Sequence, residues 1–415
     1  MAHDLGVWLF DHPVGALSLS GGRLRFQYGE DWLAHPLAVG LSQSLPLRPE
    51  PFDDSQCRGF FAGLLPEGQL RRLIARQCQV SSQNDFALLD ATGGECAGAI
   101  TFVSAGHSMT PAGDAGVEWL DEPLLLALLD ELPSRPMLAG RDGVRLSLAG
   151  AQDKLPVVFD GRRIGLPKRG HPSSHILRPA ITSVEDSVVN EAYCLALAHA
   201  MGMPAARAQI LPVHDRQVLL VDRYDRRALG DDRPERIHQE DFCQALGVVP
   251  EMKYQNEGGP GLEACFELLR KATRPSAPQV LRLFDAVVFN ALIGNHDAHA
   301  KNFSLLYAGP TPTLAPLYDL LSTAVYEHLT PKMAMKLGSK YKFSEVQARH
   351  WAEFAQSAAL SAAQTRKRVL RMTRDLPDVA RSLQASPRFA GQPIVTRIVS
   401  LIEQRSALTE RRLLE

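Results

Sequence analysis

One junction constrains this chain more than any other: an apolar helix running straight into a turn crowded with polar groups. Val280, Leu283, Phe284, Val287, Val288 and Ala291 recur with helical period, Pro278 opens the run, and Gly294 stands where a C′ glycine ends a helix. The turn is Ile293-Gly-Asn-His-Asp-Ala-His-Ala-Lys-Asn-Phe-Ser304. It carries an acid, two histidines, a lysine and two amides. Phe303–Tyr307, Gly309-Pro310 and Thr313–Leu317 read as a hairpin, which returns a second acid in Ala315-Pro-Leu-Tyr-Asp-Leu320. Such an arrangement suits a scaffold for a charged ligand.

A chain of 415 residues is too long for one ordinary core, so two to four domains are expected. Hydrophobic content of 45% with 22% charged residues is globular. The net charge of -1 gives no bulk argument for nucleic acid or membrane binding. Six cysteines without a C-x-x-C pair point to a reducing compartment rather than a disulfide or zinc framework. The N-terminus does not read as a signal peptide, and no window approaches the roughly 20 apolar residues of a membrane span. These features predict a soluble cytoplasmic protein with no membrane partner.

In chain order, residues 5–40 alternate as a small antiparallel sheet, and 57–80 turn helical with a break at Leu65-Pro-Glu-Gly68. Gly93–Ile100 is a glycine-rich turn into a strand at Ala99–Val103. A linker is expected at 104–116 and a short helix at Glu122–Leu132. Arg141–Phe159 reads as strand, small-residue turn, strand. Within it Ala149-Gly-Ala151 would let backbone N–H groups approach an anion, with Lys154 supplying charge. The spacing is not that of a Walker loop, and an ordinary hairpin turn is the equal alternative. His175–Pro179 reads as a strand carrying Arg178. A helix capped by Asp186 or Ser187 runs to about Met201, with Asn190 and Glu191 off its apolar face. Strands are expected at Gln209–Val213 and Gln217–Asp225, then a loop at Gly230–Pro234. Beyond residue 238 the chain reads mostly helical, beginning with Gln239–Leu246. Capping boxes are expected at Ser344/Gln347 and Ser361/Gln364.

Three chemical readings of the turn stay open at this point. Asp297, Asn302 and Asp319 have the order of a phosphoryl-transfer site: an acid, an amide five positions on, and a second acid after a hairpin. Asn295–His299 could instead be a metal cluster of a hydrolase. The plain alternative is a polar loop that caps a helix.

Ordered strings elsewhere favour the first reading. Phe60–Gly68, Ser147-Leu-Ala-Gly-Ala-Gln-Asp-Lys154, Val189-Asn-Glu191, Gln239-Glu-Asp241, Lys253-Tyr254 with Gly258-Gly-Pro-Gly261, His299–Ser304 and Tyr318-Asp319 resemble the HipA family of kinase toxins. The resemblance spans nearly the whole chain. It implies an α+β, protein-kinase-like two-lobed fold related to phosphoinositide kinases. The expected domains are 1–110, a small N-terminal α+β subdomain; 111–234, an N-lobe; and 235–415, a mostly helical C-terminal lobe.

The resemblance also implies a serine/threonine kinase using ATP and Mg2+. Asp297 would be the catalytic acid, and Asn302 and Asp319 the magnesium ligands. Ala149, Gly150, Ala151, Gln152, Asp153 and Lys154 would form the loop over the ATP phosphates, with Arg178 near them. Asp222, Arg223 and Tyr224 would be the hinge that meets adenine, largely through backbone groups. His299, Ala300, Lys301 and Tyr318 would line the nucleotide. Ser147 would be autophosphorylated. The implied partners are a HipB-like helix-turn-helix antitoxin, operator DNA mainly through it, and a translation component, most plausibly an aminoacyl-tRNA synthetase. The family commonly has Lys where this chain has Arg178, and Gly where it has Ala298. The alternative is a weakly active or inactive member that serves as corepressor with its antitoxin. Arg366, Lys367, Arg368, Arg371 and Arg374 make a basic helix face, read as a solvated surface with DNA contact as the sharper idea.

Overall fold

Alternating apolar residues build the first sheet. In the computed structural model, which describes residues 4–104, 116–141, 143–228 and 234–415, strands β1 (Leu5–Leu9), β2 (His12–Ser20), β3 (Arg23–Tyr28) and β4 (Ile100–Ser104) pair antiparallel in the order β3-β2-β1-β4. Leu5, Val7 and Leu9 point to one face and are buried, as are Leu24, Phe26 and Tyr28. After the four-residue α1 (Glu30–Leu33), α2 (Asp54–Gly63) starts at a capping box between Asp53 and Gln56 and buries Phe60 and Phe61. Helices α3 (Gly68–Gln77) and α4 (Asp85–Thr92) follow; α4 lies where no helix was expected.

The second sheet has strands β5 (Gly116–Trp119), β6 (Leu155–Phe159), β7 (Ile164–Lys168), β8 (His175–Pro179), β9 (Ala208–Val213) and β10 (Arg216–Asp222), ordered β5-β7-β6-β8-β10-β9. Its register sets Leu219 opposite Arg178 and Asp222 opposite His175. α5 (Glu122–Glu131) is capped by the Asp121 side chain. The helices that follow are α6 (Ser187–Ala200), α7 (Phe242–Ala245), α8 (Leu262–Ala272), α9 (Ser276–Ile293), α10 (Ala348–Ser357), α11 (Ala362–Gln384) and α12 (Pro393–Leu414).

The chain divides into two compact units. The first contains residues 1–179, 211–251 and 306–308; the second contains 180–210, 252–305 and 309–415. In the second, α9 packs against α8, α11 and α12, and α6 against α11 and α12. α9 is the one described helix long and apolar enough to cross a bilayer by length and composition, and most of it is buried in this unit. None of the six cysteines is in a disulfide.

Several local expectations are corrected. The first half of Arg141–Phe159 makes no regular strand among its described residues, because its backbone groups go to single partners: Ser147 N–H to Glu95 O (2.9 Å), Glu95 N–H to Arg145 O (2.9 Å) and Glu67 N–H to Gly150 O (3.0 Å). Residues His238–Asp241 are a strand, since the Asp241 side chain accepts from Gln244 N–H (2.9 Å) and starts the helix one residue later. Neither candidate cap of α6 works as expected. Asp186 is left-handed (φ 51°) with no side-chain cap, and Ser187 Oγ accepts from Ile181 N–H (2.8 Å). α6 is buried nearly all round, Asn190 and Glu191 included. The tail is not wholly helical, because Lys332–Leu337 pairs with Lys340–Lys342. Ser344 caps nothing, the capping box sitting at Gln347 and His350 instead, and Ser361 makes no side-chain cap. The linker expected at 104–116 and the loop at 230–234 lie, apart from their end residues, outside the described residues.

Candidate active site

The turn after α9 is assembled by a relay of amides. Gly294 ends the helix at φ 78°, and a Cβ there would come within 2.7 Å of Ala324 and Leu401 side-chain atoms, so only glycine fits. Asn290 Nδ2 donates to Ala286 O (2.9 Å), Asn295 Nδ2 to Asn290 Oδ1 (2.9 Å), and Asp297 N–H to Asn295 Oδ1 (3.1 Å). The Asp297 carbonyl then accepts from His299 N–H (2.8 Å) and Asn302 Nδ2 (3.0 Å). Asp297 and Asn302 are thereby fixed on one turn. The Asn302 nitrogen is used internally, so its oxygen is the end offered to a cation.

Tyr318 ties the returning segment to this turn: its hydroxyl donates to Lys301 O (2.6 Å) and shares a hydrogen bond with Ser304 Oγ (2.7 Å). The next residue, Asp319, adopts φ 56°, a strained conformation for a non-glycine that aspartate tolerates better than most. Lys301, Asn302, Tyr318 and Asp319 thus belong to one connected constellation. Asn302 and Asp319 supply hard oxygen donors, which suit magnesium: that ion takes one or two protein ligands and completes its shell with water and phosphates. No group of three His, Cys, Asp or Glu able to hold a metal gathers among the described residues.

His296 is a structural residue. Its ring contacts Thr330 O (3.1 Å) and Arg405 Nη2 (2.9 Å), and its backbone N–H donates to Thr323 Oγ1 (2.9 Å). Burial first, and the Arg405 guanidinium second, push its pKa down to about 4. Both ring nitrogens are occupied, which removes it from a metal-cluster reading. Because the unfolded imidazole protonates near 6.5, stability contributed by neutral His296 is full above that pH and drains as pH falls toward 4. We expect His296→Gln to flatten the pH dependence of urea-unfolding stability between about 6.5 and 4. An unchanged slope would contradict the assignment.

One partner of Asp297 escaped the sequence reading: Tyr254, whose hydroxyl donates to Asp297 Oδ1 at 2.8 Å. Its string was visible in the sequence, but nothing in spacing could join two residues 43 positions apart.

In the first unit, Gly150 has φ 115°, and a Cβ there would lie 2.6 Å from Lys154 Nζ. The positive φ is what favours glycine here, since the Lys154 side chain could move aside; its ammonium is bonded to Ala149 O. Arg178 Nη2 bonds to Gln152 Oε1, so these two predicted residues do meet. Asp153 is half-buried, and burial raises its carboxyl pKa. Ser147 is fully buried, its Oγ donating to Leu64 O (2.9 Å). Asp222 approaches His175 (3.2 Å), and Tyr224 bonds to Gln239. The Arg223 side chain is committed elsewhere, to a buried cluster with Glu95, Asp225 and Ser173, so only its backbone remains for a hinge. On α11 three of the five basic residues of that face meet carboxylates within their own unit. Arg368 forks onto Asp285, Arg374 meets Glu410 (2.7 Å), Arg371 meets Asp375 (3.5 Å) and Arg366 donates to Leu413 O (2.8 Å).

Comparison with known proteins identifies the family. Residues 5–103 match the family model of the HipA N-terminal domain, and 146–380 that of the HipA-like C-terminal domain. A Sinorhizobium fredii protein named "Putative kinase Y4mE" is 45% identical over 385 residues, 92% of each chain. The serine/threonine-protein kinase toxin HipA of Shewanella oneidensis is 29% identical over 389 residues, 90% of this chain and 87% of that one. The solved structure of Shewanella oneidensis HipA with HipB and its operator DNA superposes with a TM-score of 0.86, at 27% identity, covering 99% of this chain and 98% of that one. The fold is thus α+β and kinase-like, and the class is that of the serine/threonine protein kinases. The chain belongs to the HipA family.

Proposed function

We propose that this chain is a Mg-ATP-dependent serine/threonine protein kinase acting as the toxin of a toxin–antitoxin module in the cytoplasm. The observation that carries the reading is the turn in which Asn302 donates to the Asp297 carbonyl, with Tyr318 tying the Asp319 segment to the same turn. The Asp297 carboxylate is the base that receives the proton of the acceptor hydroxyl. Asn302 and Asp319 would hold magnesium, which would supply charge neutralisation for the transferred phosphoryl group. The Ala149–Lys154 loop and Arg178 offer N–H groups and two cations to phosphate oxygens; His299, Ala300 and Lys301 line the nucleotide, and Asp222–Tyr224 meet adenine through the backbone. The protein target is a translation component, most plausibly an aminoacyl-tRNA synthetase. The Shewanella oneidensis relative was solved with HipB and operator DNA, which supports a HipB-like helix-turn-helix antitoxin and operator DNA as partners here.

Ser147 is the proposed autophosphorylation site. Its buried hydroxyl donates to a carbonyl, so the segment must leave this packing to be phosphorylated. A phosphate bearing nearly two charges cannot return to that site. The modified segment therefore stays out, and phosphate binding is lost. Purified protein incubated with labelled ATP and Mg2+ should acquire phosphoserine at Ser147, and Ser147→Ala should lose that label. If neither the chain nor an added aminoacyl-tRNA synthetase is labelled, and operator binding persists, the corepressor reading replaces this one.

A further inference from the structure

Asp297 is held from two sides. Its backbone is fixed by the amide relay, and its carboxylate by Tyr254. The segment carrying Tyr254 is itself rigid. The Tyr254 carbonyl accepts from Glu257 N–H (3.0 Å) and Gly259 N–H (2.9 Å), closing a tight loop. Gly258 sits at φ 97°. A Cβ on Gly259 would come within 2.0 Å of Met252 O, and one on Gly261 within 2.4 Å of the Gln255 amide. Gln255 Oε1 in turn accepts from Lys336 N–H (2.7 Å), and in the same strand Ala334 N–H donates to His296 O (2.7 Å). Loop, strand and catalytic turn form a closed ring of hydrogen bonds with the Tyr254–Asp297 contact as its last link. The His299 ring packs edge-on to Tyr254, centroids 5.2 Å apart, and the Lys253 ammonium lies 5.4 Å from the Tyr254 centroid.

We propose that Tyr254 is the positioning residue of the catalytic carboxylate, and that the Gly258-Gly-Pro-Gly261 loop exists to hold it there. The proposal rests on the reading of Asp297 as the acid of phosphoryl transfer. A phenol bonded to Oδ1 fixes the plane of the carboxylate, and a charge-assisted O–H···O⁻ bond is among the stronger restraints available. Misplacing a reacting group by about 1 Å can cost on the order of 10²-fold. This gives a role to the Lys253-Tyr254 and Gly258–Gly261 strings, which the nucleotide and metal assignments leave unused.

The test is steady-state phosphotransfer by the full chain with Mg-ATP. Tyr254→Phe keeps the ring contacts and removes one oxygen; it should lower kcat about 10- to 100-fold and leave the KM for ATP within about twofold. Gly259→Ala, which touches neither Asp297 nor nucleotide, should lower kcat in the same way by displacing the loop. The double variant Tyr254→Phe/Asp297→Asn should be no slower than Asp297→Asn alone, because the tyrosine acts through that carboxylate. An unchanged or raised kcat in Tyr254→Phe, a loss confined to KM, or a full additive loss in the double variant each overturns the proposal. If Asp297→Asn runs at the wild-type rate, the kinase-acid reading itself fails. If it is slow while Tyr254→Phe is not, only the positioning role fails.

Discussion

Asp297→Ala should lower phosphotransfer about 10²- to 10⁴-fold while leaving the protein folded. The separation is possible because Asp297 does two jobs with different atoms. Its carbonyl holds the turn, accepting from His299 N–H and Asn302 Nδ2, and its N–H takes the Asn295 oxygen. All of these survive in alanine. The carboxylate contributes the bond to Tyr254, whose loss leaves a part-buried phenol that water can serve. Asn302→Ala is the useful contrast, since it removes a proposed metal oxygen and a turn-closing donor together. Rate, thermal midpoint and ATP binding measured on both variants separate chemistry from scaffold. A large loss of thermal stability in Asp297→Ala, or a rate within a few-fold of wild type, would refute the assignment.

The sequence made some of this legible and hid the rest, for physical reasons. Periodicity found β1 and β3 because alternate residues of each are buried, and it found α9 although Ala286 to Ile293 are buried on every side. It also found α6, but set Asn190 and Glu191 off the apolar face, whereas the helix is buried on nearly all its faces. Asn190 in fact donates to Ser322 O (3.0 Å) and accepts from Ser322 N–H (2.8 Å), a partner 132 residues on. Spacing within one turn exposed Asp297 and Asn302, and a short hairpin reached Asp319. Tyr254 has no such local signature, because its contact with Asp297 exists only through the fold. Arg223 shows the converse: it stands in the predicted hinge, yet its side chain is drawn into a buried ion cluster that no local pattern announces.

That cluster carries the largest expected stability effect. Glu95, from a stretch with no evident chemical role, accepts from Arg223 (3.1 Å), Arg226 (2.7 Å) and Arg236 (2.7 Å), and also from Ser173 N–H (3.0 Å) and Oγ (2.8 Å). Burial pushes its carboxyl pKa up, but the three guanidiniums outweigh burial and hold it far below the usual carboxylate range. The three arginines face two buried carboxylates, Glu95 and Asp225, with the exposed Asp11 3.9 Å from Arg236 at the rim. Glu95→Gln keeps the shape and leaves three buried guanidiniums to Asp225 and the exposed Asp11. Breaking a buried pair in this way costs about 3–5 kcal/mol, whereas removing Glu118, half-exposed beside Lys168 and Arg141, should cost about 1 kcal/mol or less. Urea unfolding followed by tryptophan fluorescence reads this well, since Trp8, Trp32 and Trp119 all lie in the first unit. The sign with pH follows from the depressed carboxyl. Its contribution is present above about pH 4.5 and drains as pH falls below that, so the variant should lose part of the wild type's acid sensitivity. Glu95 also brackets Ser147 through its backbone, donating to Arg145 O and accepting from Ser147 N–H. A variant that loosens Glu95 should therefore raise hydrogen exchange at residues 145–147 before the unit unfolds globally. A stability change below about 1 kcal/mol with unaltered exchange there would show that the cluster neither anchors the unit nor restrains Ser147.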